Sequence, residues 1–210
     1  MNRPLIAAMA VLLGACTTPS SVAPTTTANT DPNALKPVAA FTNISNRSQR
    51  SAALFAEAGR VLQHPRCLNC HPVERVPTQG DDMHQHVPLI QAGGEGHGPP
   101  ALHCNTCHQA ENIETQLPFG TMPGHSHWAL APVSMAWQGK SIGEICEQVK
   151  DPARNGGRTL AQIHEHMAKD SLVGWAWHPG TNRTAAPGTQ QSFGELLQAW
   201  IDTGAACPAP

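Results

Sequence analysis

Cys67-Leu68-Asn69-Cys70-His71 and Cys104-Asn105-Thr106-Cys107-His108 repeat one spacing, C-x-x-C-H. This spacing is the attachment signature of c-type haem. Its two thiols add to the two vinyl groups on one edge of the porphyrin, and the imidazole of the next residue reaches the iron as proximal ligand. Two rivals use the same atoms. A zinc ribbon also employs C-x-x-C pairs, but it needs no His after each pair and closes a compact site, whereas 33 residues lie between Cys70 and Cys104. A disulfide framework is the other, yet C-x-x-C pairs favour redox chemistry or haem over structural bridges. The reading is therefore two covalently bound haem c groups, held by Cys67, Cys70 and His71 and by Cys104, Cys107 and His108. Its structural test is whether the four cysteines and their following histidines cluster on a common cavity.

The chain around the motifs has 210 residues, enough for one domain of ordinary size. It holds 18 Gly, 19 Pro, no Tyr and only nine aromatic residues, four Phe and five Trp. Such a composition argues against a large regular side-chain core and for a haem-filled one. A net charge of −2 without a basic run excludes a nucleic-acid phosphate track.

At the amino terminus Arg3 supplies a positive charge, Pro4 to Leu13 is apolar, and Leu13-Gly14-Ala15-Cys16 follows. This is the pattern of a secretory signal, too short to span a bilayer. Small residues before a Cys resemble the lipobox of bacterial lipoproteins. Residues 1–15 then form the signal peptide and Cys16 takes the lipid, anchoring the protein by acyl chains alone. The Thr, Ser, Pro and Ala run of Thr17 to Asn33 cannot repay its ordering entropy, which predicts a flexible tether over 16–46 and a folded domain over 47–210. With Cys16 and the four motif cysteines assigned, Cys146 and Cys207 remain, and outside the cytoplasm such a pair is most simply a disulfide.

Hydrophobic spacing predicts a mainly α fold with extensive loop. Leu54, Phe55, Ala58, Val61 and Leu62 mark a helix over about 51–63, ending just before the first motif. Capping boxes at Ser141-Ile142-Gly143-Glu144, Thr159-Leu160-Ala161-Gln162 and Ser192-Phe193-Gly194-Glu195 mark three more helix starts. The first and last of these helices pack together if Cys146 and Cys207 bond. Arg154 to Arg158 reads as a turn, and Pro72 to Val133 as loop wrapped on haem.

The sixth position of each iron separates electron transfer from substrate chemistry. His84/His86, His125/His127 and His164/His166 form His-x-His pairs. The first two pairs, on extended chain, share a face and also suit a copper or zinc ion. On a helix, residues two apart point away from each other, so His164 and His166 do not chelate together, and His164 falls on the apolar stripe with Leu160, Ile163 and Met167. His86 and His127 are the expected distal ligands, with His84, His97, Met122 and Met135 as alternatives. Met122-Pro123 looks like the Met-Pro ligand loop of class I cytochromes c.

From Cys67 onward the chain resembles the small exported dihaem cytochromes labelled isoquinoline 1-oxidoreductase subunits. The resemblance runs through Cys67 to Pro72, Gly80-Asp81-Asp82 to His86-Val87-Pro88, the second motif, His127-Trp128 to Pro132, Asp151 to Leu160 and Asp170 to Trp177. It implies an electron acceptor for a periplasmic molybdenum hydroxylase. The expected function is thus electron transfer by a lipid-anchored dihaem cytochrome on the periplasmic side of a bacterial membrane, the outer one. A redox protein is its partner, and the chain is a carrier rather than an enzyme. The alternatives are a small haem enzyme with one open iron, of peroxidase or thiosulfate-oxidising type, and a haem or metal sensor using the His pairs.

Overall fold

Helix α1 (Arg47–Leu62) starts where the Asn46 side chain accepts the Gln49 N–H at 3.0 Å and buries the predicted stripe of Leu54, Phe55, Ala58, Val61 and Leu62. The computed structural model describes residues 31–118 and 120–210, and their architecture is mainly α. After α1 come the single turn α2 (Pro65–Leu68), a long irregular segment, α3 (Ile142–Lys150), α4 (Leu160–Lys169), the short α5 (Ser171–Gly174) and α6 (Gln190–Asp202). Ser141 and Thr159 cap α3 and α4 with reciprocal boxes to Glu144 and Gln162, as their sequences predict.

The last helix begins earlier than its sequence pattern indicates. Thr189, not Ser192, is the N-cap of α6, because the two hydroxyls satisfy each other's backbone: Thr189 Oγ1 accepts Ser192 N–H and Ser192 Oγ accepts Thr189 N–H, both at 3.0 Å. Ser192 thereby takes the return position of the box, a role ordinarily filled by Glu or Gln.

Helix α6 lies against α1 and α4, and α3 against α1. At the centre Phe55 meets Trp200 with ring centroids 4.7 Å apart, both side chains fully buried. Each such ring contributes on the order of 2–3 kcal/mol by burial. Between the two helices the buried Ser51 hydroxyl donates to Trp200 O at 3.0 Å and accepts Ala206 N–H at 2.9 Å. The helices therefore close a core of side chains. Composition misjudges this half because Phe55, Phe193 and Trp200, with Leu54, Leu196 and Leu197, are concentrated in two helices that face each other.

One boundary differs from expectation. The body begins at Asp31, not at residue 47. Leu35 and Phe41 are buried in the core, Arg60 donates to Pro32 O and Ala34 O at 2.7 Å, and Gly188 N–H donates to Asn33 O at 2.8 Å. Leu35, Phe41 and the short helical turn Val38–Phe41 are what the Thr- and Ser-rich run before them obscures. The expected signal peptide over 1–15, the lipidation at Cys16 and the first part of the tether lie outside the described residues. Among the described residues no helix is long and apolar enough to cross a membrane.

Cys146 and Cys207 are bonded, with Cα atoms 5.6 Å apart, tying the carboxyl-terminal tail to α3. Arg154 to Arg158 is a turn: the buried Asn155 side chain donates to Val149 O and Arg158 O and accepts Arg158 N–H, while Gly156 and Gly157 take φ of +79° and +77°. The segment Pro72 to Val133 is mostly loop. Among the described residues its regular pieces are the two-residue strands β1 (Thr78–Gln79) and β2 (His84–Gln85), paired antiparallel as Thr78 with Gln85 and Gln79 with His84, the short helical turn Cys104–Thr106, and a bridge between Ile113 and Met122.

Removing the cross-link by Cys207→Ser leaves the body folded but lowers its stability by about 2–4 kcal/mol, as expected for opening a long covalent loop. Urea unfolding of the oxidised protein against the variant measures it, and reduction of the parent reproduces the same loss.

Candidate functional site

Both motifs fold as one helical turn, because the N–H of each histidine returns to the first cysteine of its pair. His71 N–H donates to Cys67 O at 3.1 Å, and His108 N–H donates to Cys104 O at 2.9 Å. The four motif cysteines are free thiols. Burial pushes the Cys67 thiol up to about 12 and the Cys70 thiol up to about 11, so neither is a thiolate at neutral pH.

The two histidines share a second feature that no spacing reveals. His71 Nδ1 lies 2.7 Å from Met135 O, and His108 Nδ1 lies 2.8 Å from Pro123 O. A carbonyl only accepts, so in each ring Nδ1 carries the proton and Nε2 is left as a free lone pair. Burial pulls His71 down to about 4, opposed by the bond to Met135 and reinforced by the charge of His166. Burial likewise lowers His108, against the bond to Pro123 and with the charges of His86 and Arg183. Both rings are neutral at pH 7, the state in which imidazole ligates. Each is also plated by an indole: His71 stacks on Trp137 at 3.6 Å between centroids and His108 on Trp128 at 4.7 Å. Trp175 meets Trp128 edge-on at 5.0 Å.

A cleft with about 1210 Å³ of empty space, part of it open to solvent, gathers Cys70, Cys104, Cys107 and His108 on one wall system. Val87, Pro88, Ile90, Leu102, Trp128 and Leu130 make it largely apolar. Cys67 and His71 are not among its lining residues, so the expected common cavity collects three of the four thiols and one of the two proximal candidates. His86 lines the cleft, its ring centroid 5.9 Å from that of His108 and its Nδ1 on Pro88 O at 2.8 Å, which again leaves Nε2 free.

The other ligand candidates scatter. His127 is exposed, with its ring 5.8 Å from His125 and its Nδ1 beside Ser126 Oγ; among the described residues it makes no ring contact with His71 or His108. His125 uses Nε2 on Ser171 Oγ and Nδ1 on the His127 N–H. His84 has both nitrogens engaged, Nδ1 with Asp82 at 2.6 Å and Nε2 with Gln79 at 3.0 Å. His97 lies against His103, ring centroids 6.4 Å apart. Met122 lines the cleft, and Met135 is buried and serves through its carbonyl. His164 is half-buried beside the buried Ile163 and Met167. Among the described residues no group of three or more His, Cys, Asp or Glu side chains is arranged to hold a metal ion.

Three features of the site escaped the sequence: the carbonyl ties, the indole plates, and the guanidinium groups of Arg66 and Arg183 on the cleft wall. Only Arg66 carried a local signal, standing directly before the first motif. Its buried side chain is held by Asp81 Oδ1 at 2.5 Å, and the same carboxylate accepts Thr184 N–H at 3.0 Å and Thr184 Oγ1–H at 2.6 Å. No family model, curated protein or solved structure matches this chain.

Asp81 thus bridges the first motif to the segment after α5. Asp81→Ala costs about 1–3 kcal/mol in urea unfolding, since it strands a buried guanidinium, while Asp82→Ala, at an exposed neighbour, leaves the unfolding midpoint in place.

Proposed function

We propose that this chain is an electron-transfer dihaem c-type cytochrome. The observation that carries the reading is the repeated environment of His71 and His108, each directly after a C-x-x-C pair, each neutral, and each with Nδ1 tied to a backbone carbonyl so that Nε2 is the free atom. That is the arrangement by which proteins orient a ligating imidazole and keep it from rotating. Doubling it at both motifs favours haem over a single four-ligand zinc site.

Bound there, the iron of each haem supplies a one-electron couple whose potential follows its axial ligands and surroundings. The chain's own part is to hold, orient and shield. Cys67 and Cys70 would anchor one group and Cys104 and Cys107 the other, and at the first motif the neutral thiols are the form present before thioether bonds are made. The stacked indoles of Trp137 and Trp128 stiffen the proximal rings, and the apolar cleft excludes water from the second group. Cys70, an anchor of the first group, stands on the wall of the cleft that takes the second. This adjacency supports exchange within one molecule.

His86 would help hold the group at the Cys104, Cys107 and His108 site: it lines the same cleft, its ring centroid lies 5.9 Å from that of His108, and Pro88 O holds its Nδ1 so that Nε2 is free. At the first site His166 would serve in preference to His127: Asp170 Oδ2 lies 3.0 Å from its Nδ1, which leaves Nε2 free in the neutral ring, and it is near enough to His71 to act on it electrostatically. With a histidine available to hold each group from a second side, the carrier reading is favoured over an enzyme with an open iron. The export signal, lipid anchor at Cys16 and periplasmic location complete the proposal, with a redox protein as partner, of the molybdenum-hydroxylase kind that the resemblance implies.

The pyridine-haemochrome signal of the purified protein corresponds to two haems per chain, and Cys104→Ser with Cys107→Ser halves it. Reduced parent protein shows no spectral change with carbon monoxide, while His86→Ala and His166→Ala each open one iron to it. A colourless protein, or one that binds carbon monoxide without substitution, overturns the reading.

A further inference from the structure

Arg66 and Arg183 stand on the wall of the cleft with one carboxylate, Asp81, paired between them, to Arg66. The Arg66 side chain is 1% exposed, and although its Nη2 reaches Gly80 O at 2.8 Å and Asp81 Oδ1 at 2.5 Å, its Nε is buried without a hydrogen-bond partner. Arg183 donates from Nη1 to Thr121 O at 2.7 Å and, at 3.5 Å, to Pro179 O and Thr181 O, all backbone carbonyls. Among the described residues no carboxylate lies within ion-pair distance of it. Glu114 exerts its charge on Arg183, but its oxygens accept the hydroxyls of Thr121 at 2.7 Å and Thr181 at 3.2 Å. Asp81, whose charge also reaches Arg183, is occupied by Arg66 and Thr184.

A half-buried guanidinium held by carbonyls is pre-positioned and left short of counter-charge. Burial and the like charge of Arg66 both pull Arg183 below its ordinary value, the direction expected of two cations brought together before an anion arrives. Guanidinium groups in an apolar wall recognise carboxylates, through planar paired hydrogen bonds. Haem is itself a dicarboxylate.

Resting on the dihaem reading, we propose that Arg183, with Arg66 beside it on the cleft wall, binds a propionate carboxylate of the haem held by Cys104, Cys107 and His108, and so raises the potential of that haem. Both are positioning residues. A cation beside the macrocycle disfavours the extra positive charge of the ferric state, so its loss lowers the potential.

The test uses the full haem-loaded protein. Pyridine haemochrome first counts haems: fewer than two per chain in the parent defeats the dihaem reading itself, separately from this inference. Optical redox titration then compares parent, Arg183→Gln and Arg183→Lys. The Gln variant lowers one of the two potentials and leaves the other in place, and Lys, which keeps the charge, restores most of it. In resonance Raman spectra the propionate-bending band shifts in both variants, since Lys lacks the planar fork. Two haems with potentials and propionate band identical to the parent in Arg183→Gln overturn the inference. So does a parent potential that moves on titration with phosphate, which places an anion from solution in the propionates' position.

Discussion

A backbone that is neither helix nor sheet must still find partners for its buried N–H and C=O groups. From Pro72 to Val133 this chain has almost no ladder of its own, so the loop is held by hydrogen bonds to the first motif, to the segment just after the loop and within itself. Ala131 N–H donates to Cys70 O at 3.0 Å, Trp137 N–H to His71 O at 2.9 Å, and Arg75 Nη1 to Ala131 O at 2.9 Å. Gln138 Nε2 donates to Leu68 O at 3.1 Å and to Thr78 Oγ1 at 3.0 Å. The same rule serves the site, because the carbonyls of Met135 and Pro123 accept hydrogen bonds from the Nδ1–H of His71 and His108. Loop satisfaction and imidazole orientation are one set of bonds.

This explains the division of labour between the halves. Helices α1, α4 and α6 close a side-chain core around Phe55 and Trp200 and give the loops a fixed surface. The loops bring thiols, imidazoles and apolar side chains to an open cleft, where a rigid support matters more than regular structure. Asp81 and the disulfide act as long-range ties, the first from the motif region to Thr184 and the second from α3 to the tail.

Much of the helical half was legible. A stripe such as Leu54, Phe55, Ala58, Val61 and Leu62 has one low-energy solution, and a box such as Ser141 with Glu144 is satisfied within four residues. The start of α6 was misplaced because Thr189 and Ser192 both have capping hydroxyls, and the choice depends on which backbone N–H each reaches. The first sixteen residues of the body were hidden by the composition of the run preceding them. Of the expected distal ligands, His86 is brought to His108 and His127 is not placed against either motif histidine, since loop closure decides which imidazole arrives.

Taken alone, the order of residues determined where thiols and imidazoles are grouped, which segments are helical, and which two cysteines remained to pair, because each depends on neighbours a few positions away. Tertiary structure decided the partners of Nδ1, the indole plates, the shared cleft that sets Cys70 beside Cys104 and Cys107, and the two guanidinium groups facing it. These join residues 15 to 64 positions apart in the imidazole ties, and more than a hundred apart where Asp81 meets Thr184. Only the closure of the loops onto the helices specifies such distances, and no local pattern encodes that closure.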